Sequence, residues 1–102
     1  MLIYVDIDET ICDYDGVREY PLAKPIPERI DKMNSLYDEG HTIVYWTARG
    51  SVSGIDWRET TERQFAEWGV KYHDLKLMKP AYDIFICDKA VNSEDYFKDE
   101  KD

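Results

Sequence analysis

The chain reads as a single α/β domain built on a short parallel sheet of about four strands, and three observations lead there. Apolar, β-branched runs alternate with stretches of helical periodicity in the order strand, helix, strand, helix, strand. That order pairs strands in parallel through right-handed crossovers. The first apolar run ends abruptly in two carboxylates, Asp6 and Asp8, followed by a hydroxyl at Thr10. Finally, 102 residues with 43% hydrophobic content suffice for one core, and a chain of this size buries roughly two-thirds of its unfolded surface.

Each element has its own signal. Residues 2–5 are a short buried strand. Residues 14–27 hold three of the four prolines and one glycine, and read as an irregular excursion. Pro27 or Glu28 opens a helix, since proline suits a first turn, and Ile30, Met33, Leu36 and Tyr37 form its apolar face. Gly40 ends it in a left-handed cap. Residues 41–46 form the second strand. Thr47-Ala48-Arg49-Gly50 and a polar loop follow, and Asp56 with Glu59 makes a capping box for a helix through Trp68. Phe65 and Trp68 face the sheet, and Gly69 terminates the helix. Residues 75–78 and 84–87 are two further strands joined by an irregular connection at 79–83. No repeat, linker or low-complexity tract interrupts the order, and residues 95–102 form a charged tail expected to fray.

Composition narrows the function. The net charge of -9 disfavours nucleic acid and anionic membrane surfaces. No segment approaches the ~20 apolar residues of a membrane span. Two cysteines, Cys12 and Cys87, are too few for a disulfide framework, and residues 1–10 carry no signal-type segment, so a cytoplasmic setting is expected.

The chemistry gathers at strand ends. Residues two apart on an extended chain point the same way, so Asp6 and Asp8 can face one small volume. Such a pair needs a cation or a shared proton. The second strand ends at Thr47, the fourth at Asp88, and Lys79 precedes the fourth. Parallel strands bring these ends to one edge, where open α/β sheets bind ligands. Three carboxylates suit Mg2+, whose shell is completed by water and phosphate oxygens. A hydroxyl and an amine suit the remaining phosphate oxygens, as phosphoryl transfer requires. Arg49 and Trp57, on the loop after Thr47, are candidates for substrate contact. Asp13 and Asp15 read as solvated turn residues, His41 and His73 as structural, Cys12 as a small apolar filler, Lys89 as a second phosphate cation or a surface charge, and Asn92 as a site group or a helix cap.

With these residues in place, the chain resembles the haloacid dehalogenase superfamily of phosphotransferases over residues 1–92. Asp6-Ile7-Asp8-Glu9-Thr10 resembles the first family motif, Thr47 the second, Lys79 the third and Asp88 the fourth. Residues 40–50 and 79–92 are similar to a small capless subgroup found with capsule or lipopolysaccharide sugar genes. The resemblance implies a minimal Rossmann-like three-layer fold with strand order 4-1-2-3 and no folded cap. It further implies a Mg2+-dependent phosphatase acting through an aspartyl-phosphate on a sugar phosphate or related metabolite. Asp6 would be the nucleophile and Asp8 the acid and base. Asp6, Asp88 and the backbone carbonyl of Asp8 would hold the metal. Thr10, Thr47, Ala48 and Lys79 would hold the phosphoryl group, with Arg49 and Trp57 on the rest of the substrate. Two positions depart from the pattern: Glu9 stands where Gly or Ser is common, and Cys87 replaces the first of two adjacent acids. With no cap, selectivity falls to residues 13–27 and 49–57 or to a partner subunit, so a homo-oligomer is compatible. The alternatives are a phosphatase for nucleic-acid 3'-ends or phosphoproteins, a receiver-like phosphoacceptor, and an inactive binding domain suggested by Cys87.

Overall fold

The computed structural model describes residues 1–98. Strand β1 (Leu2–Val5) is followed by β2 (Cys12–Asp13), a 3-10 turn at Tyr20–Leu22 and β3 (Lys24–Pro25). Helix α1 (Pro27–Asp38), β4 (Thr42–Trp46), α2 (Arg58–Trp68), β5 (Asp74–Lys76) and α3 (Ser93–Tyr96) complete the described residues. Strands β1, β4 and β5 form a parallel sheet in that order, with Ile3 opposite Ile43 and Tyr45 opposite Leu75. The excursion is pinned by a small antiparallel ladder, β2 against β3.

The core follows the two periodicities. Ile3, Val5, Ile43, Tyr45 and Leu75 lie on one sheet face and pack with Ile30, Met33, Leu36 and Tyr37 of α1 and Phe65 and Trp68 of α2. Both crossovers therefore cover the same face, as right-handed connections that keep advancing in one direction across the sheet must. Pro27 opens α1, and Gly69 caps α2 at φ 70°. Helix α2 starts at Arg58, one residue later than the capping box implies. Asp56 still accepts a hydrogen bond from the Arg58 amide at 3.0 Å, but the cap position is Trp57.

Three expectations change. Residues 84–87 form no strand, so the sheet has three strands rather than four. Ile84 and Ile86 are 75% and 89% exposed. The reason is reach. A strand beyond β1 would have to cross the whole sheet from β5 and return parallel, and such crossovers need a dozen residues or more, whereas residues 77–83 are all that separate β5 from Ile84. The opposite sheet face is open to solvent at Leu2, Tyr4 and Lys76, so the expected third layer is not found among the described residues. Residues 93–98 are not a frayed tail, because Phe97 is 2% exposed in the core beneath the Arg29 guanidinium. The remainder of that tail lies outside the described residues. Among the described residues no insertion forms a cap.

Candidate active site at the carboxyl end of the sheet

Asp6, Thr47 and Lys79 meet where the three strands end. Thr47 follows β4, and its amide donates to the Lys76 carbonyl at 2.9 Å, extending the ladder by one rung. The Lys79 amide in turn donates to the Thr47 carbonyl at 2.9 Å. These bonds turn the chain so that the Lys79 ammonium lies 3.7 Å from Asp6 Oδ1, above the rings of Trp46 and Tyr82. Met78 takes a left-handed φ of 65° immediately before it, part of the same turn. Burial pushes the Asp6 carboxyl above its ordinary range, and attraction to Lys79 offsets only part of that.

Asp8 faces a different environment. Arg49 is fully buried, and its guanidinium grips Asp8 with Nε at 3.0 Å from Oδ2 and Nη2 at 2.9 Å from Oδ1. Nη1 donates to Thr61 Oγ1 at 2.9 Å and Gln64 Oε1 at 2.7 Å, both on α2. The Tyr14 hydroxyl donates to Asp8 Oδ1 at 2.5 Å, and the Cys12 thiol lies 3.5 Å from the same oxygen. Burial alone would raise the Asp8 carboxyl, but the Arg49 hydrogen bonds and charge, with Tyr14 and Cys12, outweigh it and hold Asp8 below the usual range. The Cys12 thiol is pushed up to about 12, first by burial and then by Asp8, which keeps it an inert filler.

The other candidates divide. Thr10 and Thr47 are buried, and Thr47 Oγ1 accepts from the Arg49 amide at 3.1 Å while its own proton stays available to donate. Arg49, expected on substrate or at the surface, is instead spent on Asp8. Trp57 packs edge-on to Tyr20 at 5.1 Å, and Tyr20 also lies 4.8 Å from the Arg49 guanidinium carbon. His73 accepts from the Ile43 amide and stacks on Tyr37, His41 contacts the N-terminal amine, and Asn92 caps α3. Asp15 pairs with Lys24 at the surface. All four fill structural roles.

The Mg2+ set is incomplete. Both Asp8 carboxylate oxygens are engaged, which leaves its backbone carbonyl. Asp88 and Lys89 lie on the exposed segment 81–92, because the strand that would carry Asp88 to the sheet edge does not form. Among the described residues, no group of three or more His, Cys, Asp or Glu is disposed to hold a metal ion. The side chains gathered at the edge therefore do not fit Mg2+ in this arrangement.

No protein-family model matches the chain. No curated protein matches it either. A crystal structure of a target protein from Vibrio cholerae is similar in fold, with a TM-score of 0.80 at 23% identity, covering 93% of this chain and 85% of that one. Likeness at that identity bears on the fold, and the α/β architecture is shared.

Sequence reasoning missed Tyr14, Tyr20, Thr61 and Gln64. For the last two a signal existed. They are polar residues three apart on the α2 face that buries Phe65, a placement that calls for a buried polar partner. The two segments expected to confer selectivity do meet. Arg18, Tyr20, Pro21, Ala48, Val52 and Trp57, with neighbours, line a cleft of about 620 Å³. No helix among the described residues is long and apolar enough to cross a membrane.

Proposed function

We propose that this chain hydrolyses phosphate monoesters of small metabolites, sugar phosphates among them, by passing the phosphoryl group through Asp6. The observation that carries this reading is the Asp6 carboxylate facing the Lys79 ammonium at 3.7 Å, on the edge shared with Thr47. Strand-end carboxylates can act as phosphoryl acceptors, and an adjacent cation neutralises charge on the group in flight.

In this reading an Asp6 oxygen attacks phosphorus in line, a new oxygen–phosphorus bond forms, and the bond to the ester oxygen breaks. The departing oxygen takes its proton from solvent water, because Asp8 is held ionised. A second water then attacks the aspartyl-phosphate, loses a proton to Asp8, which passes it back to solvent, and inorganic phosphate leaves with Asp6 restored. Lys79 holds the phosphoryl oxygens, and the Thr47 hydroxyl donates to one of them. Arg49 fixes Asp8 in its ionised form, the form needed to accept a proton from water. A cytoplasmic setting fits two unpaired cysteines, and the net charge of -9 disfavours nucleic-acid ends as substrates. The test is a panel of phosphate esters assayed with and without Mg2+. Phosphate release that disappears in Asp6→Asn supports the reading, and release that survives this substitution refutes it.

The grip of Arg49 on Asp8 also favours a second reading, a phosphoacceptor of slow turnover. A carboxylate held ionised is a poor proton donor for the first step. Small donors with good leaving groups, such as acetyl phosphate, would then load Asp6 without rapid release. The lifetime of the phosphorylated chain separates the two readings.

A further inference from the structure

The cleft between residues 18–21 and 48–57 has a lining unlike that of the polar strand-end site. Its walls are the rings of Tyr20 and Trp57 together with Pro21, Ala48, Val52 and Ile55. Val52 and Ile55 are 87% and 53% exposed, so large apolar side chains face solvent across an aromatic pair. Its polar side chains are Arg18, Glu19 and Ser53, and two of the three are engaged. Arg18 is paired with Glu9 and lies over the Tyr14 ring, and Ser53 Oγ accepts from the Ile55 amide at 3.2 Å. At about 620 Å³ it lies within the range of small-molecule sites.

The cleft is also built and joined to the strand ends. Gln64 donates to the Tyr20 carbonyl at 2.6 Å, fixing one wall. The Gly54 amide donates to the Gly50 carbonyl at 2.8 Å, fixing the other. Ser51 Oγ donates to the Lys79 carbonyl at 2.5 Å, which ties that wall to the residue whose ammonium faces Asp6. Tyr20 lies between the Trp57 ring and the guanidinium that holds Asp8, and Ala48 follows Thr47 directly.

From this juxtaposition we infer that the cleft is the leaving-group pocket and that it takes phosphate esters whose alcohol carries an aromatic or apolar group. This rests on the phosphatase reading and narrows it. A bare hexose presents hydroxyls around its ring, and the aromatic and aliphatic walls give them no side-chain partner other than Arg18, Glu19 and Ser53. Unpaired polar groups are costly to bury, whereas an aromatic ring fits beside Tyr20 and Trp57.

The test compares benzyl phosphate, a hexose 6-phosphate and glycerol phosphate on the full chain. All three leave as alkoxides, so intrinsic reactivity is similar. Benzyl phosphate should have the highest kcat/KM, by roughly tenfold over the hexose ester and mainly through KM, the scale of one well-filled apolar pocket. Trp57→Ala should lower kcat/KM for benzyl phosphate several-fold more than for glycerol phosphate and so erase that advantage, and Trp57→Phe should restore it. Equal KM values for the three esters, or a uniform loss in Trp57→Ala, overturn the inference while the phosphatase reading stands. Binding of benzylphosphonate to Asp6→Asn, read by NMR shifts at Tyr20 and Trp57, separates the two claims. Shifts there, together with no hydrolysis of any ester by the unsubstituted chain, support the pocket and refute the phosphatase reading. The absence of such shifts overturns the pocket.

Discussion

Asp6 and Asp8 differ by two positions in sequence and by opposite electrostatics in the fold. Asp6 has its carboxyl raised by burial, so its ionised form destabilises the fold near neutrality. For a raised folded-state value, the favourable contribution exists below the unfolded value and is lost as pH rises through the folded one. Asp6→Asn should therefore raise the melting temperature at neutral pH, with the gain vanishing as pH falls below the ordinary carboxylate range. The same substitution should cut turnover by at least ~10³-fold, the scale of losing an essential catalytic group. Asp8 is the reverse case. Its lowered value stabilises the fold above the ordinary carboxylate range, and that contribution is lost as pH falls through the folded value. Asp8→Asn leaves the buried Arg49 without its counter-charge, and breaking a buried pair costs roughly 3–5 kcal/mol. Denaturant unfolding near neutral pH should show that loss. Spacing alone made Asp6, Asp8, Thr47 and Lys79 legible as candidates. It could not show that Arg49 serves Asp8, because the two lie 41 residues apart and a lone arginine after a strand looks the same whether it faces solvent or a buried acid.

Among the elements, the turns carry the sharpest constraints. Gly50 has φ 83°, and a Cβ there would stand 2.2 Å from the Ile55 carbonyl oxygen. Gly50→Ala should destabilise by at least about 2 kcal/mol, from strain and overpacking together, and should distort the cleft wall that Ser51 ties to Lys79. Glu9 holds a left-handed φ of 64°, a conformation that suits glycine better than a residue with a side chain. Glu9→Gly should raise stability by up to about 1 kcal/mol in urea titration, since left-handed backbone disfavours a side chain and the exposed pair with Arg18 contributes little. Tyr45 buries a hydroxyl with no hydrogen-bond partner among the described residues, so Tyr45→Phe should be neutral or stabilising. The helices and first strands followed their periodicity. Residues 84–87 show where periodicity fails, since an apolar run encodes the wish to pair but not the chain length needed to reach an edge.

At the scale of the molecule, one sheet face carries the helices and the core, the other is exposed at Leu2, Tyr4 and Lys76 although Val44 on it is buried, and segment 81–92 stays exposed. Amide exchange should accordingly be slowest in β4, which is paired on both sides, and fast throughout residues 81–91. The edge where β1, β4 and β5 end is the place at which distant residues converge, and it is there that the phosphoryl group is proposed to attach. The most direct measurement is a rapid acid quench during turnover of a phosphate ester, followed by peptide mass spectrometry. A hydroxylamine-sensitive phosphoryl group is expected on Asp6 and is expected to be absent in Asp6→Asn. Turnover with no acyl-phosphate, or with the label on any other residue, would contradict it.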